Sequence, residues 1–456
     1  MNEGSGSIDE FENDLSIHSP ANPIDYIAVD EDLLANTLDD SEGESYSHIP
    51  EHLRQYILEY HNNKRSSLAS GLEPNLIGNM QSGKNIYQLE WDNELERIAA
   101  THISACSSAF INGSTLKSSA QVIKTFWLLW DGTDDQLHVK KALEQWWNQG
   151  QHSGNEDARN RYFNRRNYIG WANMAKGKTT RIGCSYKQCS SEQKAVFICI
   201  YSEKAQCELE MIYEPGEPCT SNEDCFTYPN SKCNTTTGLC LAPKYVNDNG
   251  ENTICSDSSN MTDAIRDLAL SQHNFYRSRL ARGLEYNGET NMSQPTAKRM
   301  IKMEYNCELE RYAQKHAEKC VFAHSNSWER PNQGQNLYMT STIHFDPRIL
   351  LRTGIEKWWQ ELEQFGVPED NLLSSDMWRN KGKLVGHWTQ MAWDRSYHLG
   401  CAVVQCPLMG YVVCHYGPAG NRRDQIIYET GDACATDADC QGLHCISEEG
   451  LCAHHI

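Results

Sequence analysis

Four side chains in the second half of this 456-residue chain are of types that could do chemistry. They are His324 in Cys-Val-Phe-Ala-His-Ser, Gln335 in Gly-Gln-Asn-Leu-Tyr, Glu361 in Trp-Trp-Gln-Glu and His387 in Gly-His-Trp-Thr-Gln-Met-Ala-Trp. Two imidazoles and a carboxylate can ligate a divalent metal or work as an acid/base pair. Their spacing does not by itself bring them together, and on the chain alone His387 reads better as a packed core histidine. Ser325 follows His324 directly, but one adjacent hydroxyl is poor support for a nucleophile. The chain offers neither His-Glu-x-x-His nor a nucleophile elbow.

The elements that must position these residues come twice. Glu94-Leu95-Glu96-Arg97 matches Glu308-Leu309-Glu310-Arg311, Trp146-Trp147 matches Trp358-Trp359, and Ile212-Tyr213-Glu214 matches Ile427-Tyr428-Glu429. Each copy, roughly 200 residues, is long enough to bury its own core. In the second copy Thr262 is the expected N-cap, Asp263 sits in the first turn, and Ile265, Leu268, Ala269 and Tyr276 share one helical face that Gly283 ends. Leu53, Ile57, Tyr60 and Leu68 predict its counterpart in the first copy, with Gly71 as the stop. Leu309, Tyr312, Ala313, His316, Ala317 and Cys320 predict an amphipathic helix over 308–322. A third helix carries Ile355, Trp358, Trp359, Leu362 and Phe365, its tryptophans expected in the core. The runs 399–405 and 411–416, rich in Val, Cys and Tyr, predict paired strands. Helices followed by strands give an α+β layered domain.

Nineteen cysteines argue for disulfides in an oxidising compartment. Each copy ends in a small cysteine-rich piece with too little apolar content to hold itself without them. Cys255 and Cys307 both lack a counterpart in the first copy, so they are expected to pair. Cys207 has Arg422 opposite it and is either a free thiol or the bridge of a disulfide-linked dimer. Sequons at Asn112, Asn234, Asn260 and Asn291 are compatible with secretion. No apolar h-region precedes residue 50, which conflicts with the cysteines and suggests a processed or truncated start. The formal charge is −20. Residues 1–50 hold 13 Asp/Glu and no Lys/Arg, so they supply most of it and read as a solvated, disordered tail. The acidic excess argues against nucleic acid as a partner.

Gly386-His387-Trp388-Thr389-Gln390-Met391-Ala392-Trp393, followed by Cys414-His415-Tyr416-Gly417-Pro418-Ala419-Gly420-Asn421, resembles the two signature motifs of the CAP superfamily, the cysteine-rich secretory, antigen 5 and pathogenesis-related 1 proteins. The tandem layout with cysteine-rich tails is similar to the double-domain activation-associated secreted proteins, or venom-allergen-like proteins, of parasitic nematodes. The resemblance covers about 49–456. It implies two α-β-α sandwiches, each followed by a disulfide-rich hinge or tail. The expected division is an acidic tail 1–48, a degenerate first domain 49–213, a hinge 214–241, a linker 242–260, a second domain 261–429 and a tail 430–456.

The family's cleft carries two histidines and two glutamates. His324, Glu361 and His387 fall on three of those positions, and Gln335 on the fourth, where glutamine cannot act as a base. The resemblance therefore implies zinc at His324 and His387 in the second copy. It implies none in the first, where Phe110, Gln121, Gln149 and Gly170 stand for His324, Gln335, Glu361 and His387. It further implies a secreted, non-catalytic protein that binds a host receptor, a lipid or a sterol and modulates host immunity. The alternatives are a metal-dependent or serine-type hydrolase using His324 and His387, and a structural extracellular protein.

Overall fold

The computed structural model describes residues 48–155, 157–164, 166–204, 210–245, 248–255 and 261–454. Residues 1–47 of the expected acidic tail 1–48, and Cys207, lie outside the described residues.

The repeat folds twice into the same three layers. The central sheet of the second copy runs in the order Glu304–Tyr305, His398–Cys406, Met409–Gly417, Gly334–Thr340, the first pairing parallel and the others antiparallel. The first copy has the same order in Glu90–Trp91, Arg181–Cys189, Lys194–Tyr201 and Ala120–Trp127. Strand periodicity separates the two faces. Cys401, Val403, Val412 and Cys414 join the core made with helices Asp263–Ala281, Pro347–Trp359 and Ser375–Ala392. Ala402, Val404, Tyr411 and Val413 pack on the opposite side with Ala313 and Ala317 of helix Cys307–Ala317. That helix lies so close to the sheet that a Cβ on Gly400 would come within 2.2 Å of the Glu310 nitrogen. Gly183 is equally close to Glu96 in the first copy.

The caps fall where the side chains predict them. The Thr262 side chain accepts from the Ile265 N–H, and Gly283 takes φ +72° beyond the helix end. Two expectations are corrected. The helix expected over 308–322 spans Cys307–Ala317, because Cys320 turns to φ +51° and is held by a disulfide to Cys406. The third helix is two, Pro347–Trp359 and Glu361–Phe365, separated at Gln360. The tryptophan pairs are core, each side chain under 5% exposed.

Buried arginines tie the layers together. Arg277 donates to the carbonyls of Ile301, Met391, Trp393 and Asp394, and Arg65 does the same for Tyr87, Met174, Lys176, Gly177 and Thr179. Burial lowers both guanidinium pKa values to about 9. Hydrogen bonds to a charged donor contribute roughly 1.5–3 kcal/mol each, which offsets that desolvation. In each copy the carbonyls at the end of the helix that follows the cleft turn are fixed this way.

Among the described residues the cysteines form intrachain disulfides, including the expected Cys255–Cys307. The two cysteine-rich pieces share one pattern, Cys219–Cys233 with Cys225–Cys240 and Cys434–Cys445 with Cys440–Cys452. The copies meet through buried ion pairs, Lys178 with Glu356 at 2.5 Å and Arg352 with Glu203 at 2.6 Å. No described helix is long and apolar enough to cross a membrane.

Candidate metal-binding cleft

The cleft is built where helix Ser375–Ala392 passes the end of strand Gly334–Thr340. The Asn336 side chain donates to the His387 carbonyl at 3.1 Å and to the Tyr416 hydroxyl at 3.2 Å, which fixes the helix against the strand. The two signature motifs interlock around it. Thr389 donates to the Asn421 side chain, Asn421 donates to the Gly386 carbonyl, and the Gln390 oxygen accepts from the Gly420 N–H.

Glu361 has two tasks. Its Oε2 accepts the backbone N–H groups of His387 and Trp388, at 3.0 and 2.9 Å. Its Oε1 lies 2.5 Å from Nδ1 of His387. The imidazole also stacks on Trp358, with ring centroids 5.9 Å apart. Donation from Nδ1 to the carboxylate leaves Nε2 as the lone-pair nitrogen, the arrangement that orients a metal-ligating histidine.

Gln335 organises the other side. Its Oε1 accepts the Ser325 N–H at 3.1 Å, and since a backbone N–H can only donate, the amide orientation follows. His324 Nδ1 lies 2.8 Å from the same oxygen and must be the protonated nitrogen. The Gln335 amide N–H₂ then donates to Ser325 Oγ at 3.1 Å and to His415 Nε2 at 2.9 Å. His415 completes the chain by donating from Nδ1 to the Gln333 side-chain oxygen at 2.8 Å. Burial pushes His415 down to about 3, so it stays neutral and can accept. Desolvation also lowers His324, although the residue is exposed.

The structure thus places His324 with Gln335, and His387 with Glu361. Both Nδ1 atoms are occupied and neither Nε2 has a partner among the described residues, so each imidazole keeps a lone pair of the kind a divalent cation takes. Glu361 is occupied by the His387 ring and by two backbone N–H groups. Among the described residues, three such ligand atoms converge within 4.8 Å only at Cys219–Cys225–Cys233 and Cys434–Cys440–Cys445. All six sulfurs are in disulfides, so neither cluster offers a thiolate.

The first copy keeps the framework without the donors. Gln149 Oε1 accepts from the Gly170 and Trp171 N–H groups at 2.8 and 3.3 Å, as Glu361 Oε2 does for His387 and Trp388. Gln121 accepts the Ile111 N–H at 2.8 Å, as Gln335 does for Ser325. Phe110 is 70% exposed where His324 stands in the second copy. The Cα of Gly170 points into filled space, since a Cβ there would lie 2.8 Å from Gln149 Oε1.

Sequence reasoning missed His415 and Gln333. The available signal was a histidine inside the otherwise apolar strand run Tyr-Val-Val-Cys-His-Tyr, directly opposite Gln335 in the sheet. Histidines His61 and His273 belong to a different class. Both are fully buried, each bonds a backbone carbonyl and a tyrosine hydroxyl, and both copies have one, so they are structural.

A model described as "CAP: Cysteine-rich secretory protein family" matches residues 58–201 and again 270–416. The chain is 36% identical over 414 residues to Ancylostoma secreted protein of Ancylostoma caninum, across 91% of this chain and 94% of that protein. It is 36% identical over 166 residues to Venom allergen 5.02 of Dolichovespula maculata, across 35% of this chain and 74% of that protein. The crystal structure of Na-ASP-1, 36% identical, superposes with a TM-score of 0.64 over 90% of this chain and 100% of that one. With two matched copies and near end-to-end likeness to double-length relatives, this chain belongs to the cysteine-rich secretory protein (CAP) family, as a tandem double-domain member.

Proposed function

We propose that the protein is secreted and acts by binding a host receptor, lipid or sterol, modulating host immunity without catalysis. In this reading 49–213 and 261–429 are the two CAP bodies, joined through the hinge 214–241 and the linker 242–260 and closed by the tail 430–456. The second body holds a divalent cation, zinc, through Nε2 of His324 and His387, and the first is a metal-free binding or scaffold body. Zinc held by only two protein ligands keeps open positions for solvent or a partner's donor, and binds more weakly than at a closed structural site.

One observation carries this reading: the carboxylate and the amide beside the two cleft histidines are both committed to holding other groups. Glu361 holds His387 and two backbone N–H groups, and Gln335 has no proton to exchange. Ser325 Oγ accepts from the Gln335 amide rather than donating to an imidazole, which counts against a serine hydrolase. The test is a zinc titration of the full chain followed by native mass spectrometry, with peptide and ester hydrolysis measured on the same samples. One zinc per chain, absent in His324→Ala/His387→Ala, with no hydrolysis, is the expected result. Zinc-dependent hydrolysis abolished by that pair would establish the hydrolase instead. Cys207 is proposed as a dimer bridge, and a non-reducing gel in which Cys207→Ser leaves the mobility unchanged would reject it.

A further inference from the structure

The first copy, which lacks the cleft histidines, carries an apolar tip that the second copy lacks at the same position. After strand Ala120–Trp127 comes one helical turn, Leu128–Asp131. Trp127 is 55% exposed, Leu129 76% and Trp130 83%. The matching residues of the second copy, Ser341, Ile343 and His344, follow strand Gly334–Thr340 and include no aromatic ring other than an imidazole.

The turn is held rigid rather than left to collapse. The Trp127 N–H donates to the Asp131 carboxylate at 3.0 Å, the Leu128 N–H to the Gln193 carbonyl at 2.9 Å, and the Gly132 N–H to the Leu128 carbonyl at 3.1 Å. Gly132 closes the turn at φ +78°. From behind, His138 bonds the Asp131 carbonyl at 3.2 Å and stacks on Phe126, centroids 4.4 Å apart. The fold therefore orders a turn whose three large side chains stand outward in water, an arrangement that soluble surfaces avoid unless something covers it.

We propose that this tip docks the protein on a lipid bilayer with a zwitterionic, phosphocholine-type surface. Tryptophan and leucine this exposed suit the headgroup boundary, where an indole can bury its ring and keep its N–H wet. Its exposed apolar area, roughly 400 Å² from ordinary side-chain areas, is too small for a stable protein dimer but enough for reversible membrane contact. Charge selects the lipid. Three lysines near the tip pair with carboxylates, Lys141 with Asp131, Lys140 with Glu144 and Lys194 with Glu192, and Lys124 lies over the Phe126 ring. With a formal charge of −20 the whole chain is repelled by an anionic surface. The inference deepens the binding reading above by naming one partner, and rests on the first copy being a binding body.

The test is flotation of the full chain with vesicles of palmitoyl-oleoyl-phosphatidylcholine, with and without added phosphatidylserine. The wild type is expected to float with the phosphatidylcholine vesicles. In Trp127→Ser/Leu129→Ser/Trp130→Ser the bound fraction falls by at least about tenfold, and in Leu408→Ser, a comparably exposed apolar side chain of the second copy, it is unchanged. Trp130→Ser alone, at the most exposed position, gives a smaller fall in the same direction and covers misfolding of the triple variant. No flotation, equal flotation of the tip variants, or flotation only with phosphatidylserine overturns the inference. So does a dimer seen by sedimentation and lost in the triple variant, which would assign the tip to a second copy. Failure of the broader binding reading registers separately, as hydrolysis, which flotation does not report.

Discussion

Gly170 and His387 occupy the same turn of the same helix, yet one copy has an imidazole there and the other has nothing beyond Cα. What each copy keeps separates two tasks that a single carboxylate performs in the second. Glu361 accepts two backbone N–H groups with one oxygen and holds His387 with the other. Gln149 retains only the first task, for which one amide oxygen suffices. Gln335 and Gln121 likewise both anchor the loop before the strand, through Ser325 and Ile111. The cleft positions are therefore structural first, and the histidines are an addition that the fold survives without.

The largest expected difference between the copies is their response to acid. His273 and His415 in the second copy are held by burial at about 4 and about 3, and His61 in the first at about 4. Unfolded histidine takes up its proton near pH 6.5, so as the pH falls from there to about 4 the unfolded state gains protons that the folded state refuses. Stability is full above that window and drops within it by about 3 kcal/mol per buried imidazole. Hydrogen exchange followed by copy should show the second losing at least about twice as much protection free energy as the first, since desolvation also lowers His316 and His324 there. Equal losses would mean that His415 takes up its proton at its ordinary pH.

Metal binding is the next difference. His324→Ala and His387→Ala should each lower zinc affinity by at least about 100-fold, while Gln149→Glu in the first copy should create no site. Calorimetric titration reads both, and zinc binding by Gln149→Glu would show that the first cleft lacks only charge. A smaller effect is expected from Glu361→Gln. The amide oxygen still caps the helix turn, as Gln149 does, but it no longer polarises His387, so affinity should fall about 10- to 100-fold with little change in melting temperature. A large drop in melting temperature would instead show that the turn needs the charge.

Much of this was legible from side-chain pattern. The Thr262 cap, the alternation in 399–405 and the Cys255–Cys307 pair follow from local chemistry or from comparing the copies. The helix through His387 was not legible. Its buried face is set by Arg277 and Asn336, which come from a distant helix and a strand. The Gln335–His415 contact was hidden for the same reason: it depends on strand register, and its residues are 80 apart in sequence. The amphipathic run that included Cys320 was over-extended because a disulfide, not hydrophobic period, ended it.

Gln335→Glu restores the carboxylate that the family pattern has at this position, and here it should be costly in a diagnostic way. The oxygen that accepts from His324 and Ser325 is retained. The other becomes an acceptor facing the lone pair of His415 Nε2, where the amide had donated at 2.9 Å. Leaving that buried pair unsatisfied costs about 1–3 kcal/mol. Protonating His415 removes the conflict, and its Nδ1–H bond to Gln333 is undisturbed. His415 should therefore rise from about 3 into the range of ordinary histidine or above, and the penalty should shrink as the pH is lowered. In the first copy Gln121 faces Ile200 across the sheet, and its amide donates to the Ile111 carbonyl at 2.9 Å. Gln121→Glu has no imidazole to recruit, so its cost should vary less with pH across the histidine range. An NMR titration of His415 in Gln335→Glu that leaves it near 3, or matching pH profiles for the two variants, would show that the glutamine amide is not the donor that keeps His415 neutral.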